Sequence, residues 1–105
     1  MIQYTRTYTR PTLQTPWHTQ VVLPVSNATF AARMRDLYFT TGKCIGQTLV
    51  ESVGRLELIY TGNWLDEASY NEYDIDPVLN TYWAVKDLYN TGCGIIKGPL
   101  SFKTV

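Results

Sequence analysis

Hydrophobic and polar residues alternate along the start of the chain. Ile2, Tyr4 and Tyr8 fall on one side of an extended backbone, and Gln3, Thr5, Thr7 and Thr9 fall on the other. A two-residue period rich in Thr and Tyr predicts a strand. Arg10-Pro11 ends it, because proline has no N–H to give to a ladder. An irregular stretch follows to Gln20, with a short extended segment at Val21, Val22 and Leu23. Beyond Ser26, a good helix N-cap with Asn27 as a substitute, the period changes. Phe30, Met34, Leu37 and Tyr38 recur at i, i+4, i+7 and i+8, one apolar stripe of a helix that Gly42 stops. Arg33 and Arg35 flank that stripe in solvent. Two strands are expected at 44–53 and 56–61, joined at Gly54-Arg55, with Gly62-Asn63 breaking the second.

Asp66 caps the next helical region and Glu67 sits in its first turn, where negative charge suits the helix dipole. Asp76-Pro77 is a fresh start signal, which predicts two pieces with a kink near Asp74. Val78, Tyr82, Val85 and Tyr89 form the apolar stripe, widened by Leu79, Trp83 and Leu88. Gly92 and Gly94 release the chain into Ile95-Ile96, and Gly98-Pro99 interrupts before a last extended run, 100–105. The order is β-α-β-β-α-β, an α+β, ferredoxin-like arrangement with the helices on one face of an antiparallel sheet. A near-repeat agrees with two βαβ halves, about 1–53 and 55–105, in one domain spanning 1–105. Met34-Arg35-Asp36-Leu37-Tyr38 returns as Val85-Lys86-Asp87-Leu88-Tyr89, each copy followed by a glycine and a cysteine.

The helices leave the other face of the sheet bare. Built from Ile, Val, Leu and Tyr, that face would be too large an apolar patch for a monomer, so pairing with a second copy through the sheet is expected.

Composition narrows the function classes. A length of 105 residues fits one domain, and nine basic residues balance nine acidic ones. No net field therefore draws the chain to nucleic acid or to an anionic membrane. No run approaches the roughly 20 apolar residues of a membrane span, and the N-terminal residues lack the apolar core of a signal peptide. The expected location is the cytoplasm, or a virion if the chain is phage-encoded. Cys44 and Cys93 are each expected to open the strand after a helix, on opposite sheet edges, too far apart to bridge. Aromatic residues make up 13% of the chain, with eight tyrosines and three tryptophans. Such side chains serve interfaces as well as cores.

Convergent chemistry is sparse. His18, the single histidine, precludes a multi-histidine metal site and reads as a loop aromatic packed at an interface before it reads as an acid–base group. Asp74 and Asp76, with Glu72 and Asp66 nearby, offer oxygen ligands, but helix caps use the same residues, so no metal is expected. No cofactor is expected either: neither a phosphate-binding glycine loop nor a nucleophile triad is present.

Leu56-Glu57-Leu58-Ile59-Tyr60-Thr61-Gly62-Asn63-Trp64, followed by Leu65-Asp66-Glu67-Ala68-Ser69-Tyr70, resembles the dimeric α+β barrel superfamily, and within it the antibiotic-biosynthesis-monooxygenase-like domains. There a hydrophobic third strand runs into a Trp and then a helix with an acidic opening, and Asp76-Pro77-Val78-Leu79 resembles the family's helix break. The haem-degrading members use an Asn on the first strand and a His on the second helix. This chain has neither, so haem ligation by that histidine is excluded. The resemblance implies a pocket at which Trp64 matches the strand-end Trp, while Asn63, Tyr4 and Tyr60 supply suitable chemistry without a motif match.

Two functions follow as expectations. The first is a non-catalytic, self-assembling protein-interaction module, a phage-encoded structural or accessory protein. Its partners would be itself and other viral or host proteins, and its exposed aromatic patches would centre on Trp17, Tyr70 and Tyr73. The alternative is a cofactor-independent monooxygenase or isomerase acting on an aromatic small molecule held near Tyr4, Tyr60, Asn63 and Trp64.

Overall fold

The computed structural model describes residues 1–105. Strand β1 (Ile2–Thr9) runs through the middle of an antiparallel sheet of five strands. On one side it pairs with β3 (Glu57–Trp64), and β2 (Cys44–Glu51) lies outside β3. On the other side it pairs with β4 (Ile96–Lys97) and β5 (Ser101–Thr104). This is the ferredoxin-like order with its last strand broken in two. The break falls at Gly98-Pro99, where Gly98 N–H still donates to the Thr7 carbonyl at 2.9 Å and Pro99 has nothing to donate. A side chain at Gly98 would put its Cβ 2.6 Å from that carbonyl oxygen, so only glycine allows the approach. The chain is thus α+β and ferredoxin-like, with three helices.

Helix α1 (Asn27–Met34) starts where expected, with Ser26 Oγ accepting from Thr29 N–H at 3.1 Å. It ends in a π-helical turn, Arg35–Phe39, in which Thr40 N–H reaches back to the Arg35 carbonyl at 2.9 Å. The extra residue in that turn alters the expected stripe: Tyr38 is buried, while Leu37 and Phe39 stay about 40% exposed. Helices α2 (Glu67–Asp74) and α3 (Pro77–Gly92) are capped by Asp66 and Asp76, with the kink between them where the sequence places it.

Three other expectations are corrected. Gly62-Asn63 does not end its strand: β3 runs on to Trp64, which pairs with Ile2. Trp64 holds it there, because its ring is fully buried among Tyr38, Tyr70 and Tyr73, with centroids 5.9, 5.5 and 4.6 Å away. The bare face of the sheet is not mainly apolar. In register across it lie Thr48, Thr61, Thr5 and Ser101, then Gly46, Asn63, Gln3 and Lys103. The aromatic row of β1, Tyr4 and Tyr8, faces the helices instead, and the threonine row takes the open side. The adjoining row holds Thr7, Ile59 and Val50, with Ile96 beyond it opposite Thr9, so the face is mixed, with hydroxyls and amides outnumbering hydrocarbon side chains. Cys93 likewise caps α3 rather than opening a strand; it and Cys44 are free thiols, and burial pushes the Cys44 thiol up to about 11.

The helices are tied together at Asp76. This carboxylate is 4% exposed. It accepts from Arg33 Nε at 2.8 Å, Tyr38 Oη at 2.7 Å, and the N–H groups of Val78 and Leu79 at 3.0 and 3.3 Å. Burial alone would raise its pKa, but the Arg33, Tyr38 and backbone donors together hold it below the ordinary carboxylate value. Such a group stabilises the fold fully above its unfolded pKa, and that stability is lost as pH falls through the lower, folded value. Replacing Asp76 with Ala should therefore cost about 2–3 kcal/mol, measured by urea unfolding at neutral pH. Asp76→Asn should flatten the acid limb of the stability curve below about pH 4. Wild-type acid sensitivity in Asp76→Asn would show that the carboxylate is not what the fold protects.

Candidate functional site

Helix α3 is fastened at its ends and held off the sheet between them. Of its 16 residues only Leu79 and Asn90 are buried. Asp76 fixes its start, as above. Near its end, Tyr89 Oη donates to the Pro16 carbonyl at 2.6 Å, and Asp87 meets Lys97 Nζ at 3.2 Å. The expected stripe of Val78, Tyr82, Val85 and Tyr89 is thus only partly covered, and Leu88 is 74% exposed. Under the middle of the helix, against the Tyr8 and Tyr60 side of the sheet, opens a cleft with two lobes of about 200 and 280 Å³. Tyr8, Tyr60, Tyr73, Trp83 and Lys86 line both lobes, so they form the neck between them.

The first lobe adds Arg6, Tyr70, Asp74, Asn80, Asp87, Lys97 and Leu100 to that neck. Three cations and two carboxylates thus face a space walled by aromatic rings. Lys86 Nζ donates to Tyr8 Oη at 3.0 Å. Tyr60 folds over Gly62, and its hydroxyl accepts from Gln47 Nε2 at 2.8 Å. The Trp64 Nε1–H lies beside the same oxygen without reaching hydrogen-bonding geometry. Burial raises the Tyr60 pKa, an effect that Trp64 and Gln47 only partly offset, so the phenol stays protonated at neutral pH.

The second lobe is closed by the loop that follows β1, and Arg10 anchors that loop. Its guanidinium donates to the carbonyls of Arg55 and Thr15 at 2.8 and 3.0 Å and meets Glu51 at 3.4 Å. It also lies 4.6 Å above the Trp17 ring, whose Nε1 donates to Glu51 at 2.8 Å. Nothing in the alternation around Arg10-Pro11 announces this role. The next residue, His18, lines the lobe and is 6% exposed. Burial, reinforced by Lys86 and only partly opposed by Asp87, lowers its pKa to about 4. It is a neutral imidazole at pH 7.

Of the pocket candidates Tyr4, Tyr60, Asn63 and Trp64, only Tyr60 lines the cleft. Trp64 is a plug in the core, and Tyr4 is stacked on Tyr70 at 3.8 Å. Asn63 is on the opposite face of the sheet, accepting from Gln3 at 3.1 Å. Trp17, Tyr70 and Tyr73 are 2, 8 and 9% exposed, so the exposed aromatic patch expected around them is absent. Asp74 and Asp76 diverge, one toward the cleft and one under Arg33, and no three His, Cys, Asp or Glu side chains converge. The cleft residues the sequence reading did not single out are Arg6, Trp83 and Lys86. For Arg6 a signal was present, since it is the one charge in the inward-facing row of β1.

Among solved structures the ferredoxin-like fold of this chain has counterparts. A Deinococcus radiodurans protein, named as a candidate antibiotic biosynthesis monooxygenase, superposes with a TM-score of 0.56 at 12% identity, covering 100% of this chain and 92% of its own. Rv0793 from Mycobacterium tuberculosis gives 0.46 at 13% identity, covering 98% and 91%. No family model and no curated protein matches the sequence. The likeness is one of fold.

A Cβ at Gly62 would strike the Tyr60 hydroxyl. Gly62→Ala should therefore drive the phenol away from Gln47, seen as a large shift of the Gln47 side-chain amide in NMR spectra, with the fold retained. An unshifted Gln47 amide would mean that Tyr60 does not lie over Gly62. Because folded His18 takes its proton only near pH 4 and an unfolded histidine near 6.5, stability should fall as pH drops from 6.5 towards 4. His18→Gln should remove that slope, and an imidazole titration near pH 6.5 in the folded protein would contradict the assignment.

Proposed function

We propose that the protein binds a small planar aromatic molecule in the cleft beneath α3 and oxygenates it without a cofactor; the description of one similar solved structure as a candidate antibiotic biosynthesis monooxygenase supports the oxygenase part. The observation that carries the reading is the opening under α3, where Trp83 meets Tyr73 edge-on at 4.7 Å and Lys86 reaches Tyr8, leaving a lobe on either side of these contacts. Lobes of this size suit a ligand of one or two rings, with Trp83 and Tyr73 as walls. Arg6, Lys86 and Lys97 would favour the phenolate over the phenol of a bound hydroxyarene by direct charge stabilisation. A phenolate is the electron-rich form that gives electrons to dioxygen. In the overall conversion a phenol and O2 yield a quinone and water: one oxygen atom enters the ring, and the other leaves as water with two substrate hydrogens. The ring is oxidised and dioxygen is reduced. Tyr60, protonated and fixed by Gln47, would donate to an oxygen of the substrate. The assembly reading, which rests on the surplus of aromatic residues and the neutral charge, expected exposed rings around Trp17, Tyr70 and Tyr73, and these three are buried.

The test is a titration with one- and two-ring hydroxyarenes followed by NMR, together with oxygen uptake. Trp83→Phe, which keeps the packing on Tyr73, should weaken binding several-fold and lower uptake in step in a protein that still melts cooperatively. Binding that ignores Trp83 would move the site elsewhere. Binding without oxygen uptake would leave a ligand-binding protein in place of an enzyme.

A further inference from the structure

Arg6 occupies a costly position. It lies on the central strand, in the inward-facing row between Tyr4 and Tyr8 and opposite Tyr60. The other four arginines each meet a carboxylate: Arg10 and Arg55 at Glu51, Arg33 at Asp76, and Arg35 at Asp36. Arg6 forms no ion pair, although Asp74 and Asp87 line the same lobe, and its Nε is shut off from solvent without a partner. Asp87 is engaged by Lys97 at 3.2 Å. A buried donor left unmade is expensive, and a guanidinium has five N–H groups in a fixed fork that suits a carboxylate.

We infer that Arg6 is the anion-binding residue of the cleft and that the ligand is an aromatic acid, its carboxylate seated on the Arg6 guanidinium and its ring against the wall that Tyr73 and Trp83 form together. The inference rests on the cleft being the ligand site and goes further by naming the ligand's acidic group. Lys86 lies on the neck beside Arg6 with one N–H committed to Tyr8, which leaves donors for the same anion. The carboxylate fills the hydrogen-bonding capacity that the fold leaves open at Arg6, and the rings supply the apolar contact.

Two matched probes decide it: 2-naphthoate and its uncharged isostere 2-naphthamide, titrated by NMR against the whole chain. Naphthoate should bind roughly tenfold or more tighter than naphthamide, shifting Tyr60, Trp83 and Lys86. Arg6→Met should erase that preference, weakening naphthoate far more than naphthamide. Arg6→Lys, which keeps the charge and loses the fork, should retain part of it. Because the unfilled guanidinium weakens the empty protein, Arg6→Met should melt no lower than wild type. Equal binding of acid and amide in the cleft would overturn the anion seat and leave the aromatic cleft standing. Failure of both probes to shift cleft residues at millimolar concentration would overturn both. A large drop in melting temperature for both Arg6→Met and Arg6→Lys would make Arg6 a structural residue and overturn the inference.

Discussion

A carboxylate nearly out of reach of water must be met by donors, and Asp76 decides much of this molecule because its donors come from so many places. Arg33 comes from α1, Tyr38 from the π-helical turn, and two N–H groups from the first turn of α3. One buried charge thus sets where α1 ends, which way Tyr38 points and where α3 begins. Tyr38 in turn packs edge-on against Trp64 and Tyr73. The polar knot and the aromatic core are therefore two sides of the same ring.

With its first turn fixed at Asp76 and its last turns at Pro16 and Lys97, α3 has no freedom to collapse onto the sheet. The rings beneath it already have partners of their own: Tyr73 packs on Trp64, and Tyr60 is held over Gly62 by Gln47. Trp83 and Lys86 reach down from the middle of the helix to Tyr73 and Tyr8, and space is left on either side of them. Into that space the sheet sends Arg6 and the helix sends Lys86, charges that a closed core of this size would exclude. Every other arginine meets a carboxylate, and the unpaired Arg6 is the exception on which the proposed ligand site is built.

The outer face of the sheet shows the opposite economy. Rows of threonine, asparagine and glutamine cover it, and β-branched hydroxyl residues satisfy strand geometry without demanding burial. Pairing of copies through that face would therefore bury hydroxyls and amides more than hydrocarbon.

The elements and their order were legible in the amino-acid sequence because they rest on local signals. The alternation of β1, the caps at Ser26, Asp66 and Asp76, and the break at Gly98-Pro99 each act within a few residues of themselves. The ferredoxin-like fold follows from that order and needs nothing more distant. The limits of β3 were not legible, because a Gly-Asn pair that normally ends a strand is overruled by Trp64, whose burial depends on rings from three other segments. The site was legible only in part: Tyr60 was visible, whereas Arg6 was one inward charge whose meaning depended on what failed to meet it. Which residues of a strand share a face is a property of neighbours in sequence, and the chain settled that by itself. Whether a space is filled, and whether a charge finds a partner, are properties of segments far apart in sequence, and only their packing decided them.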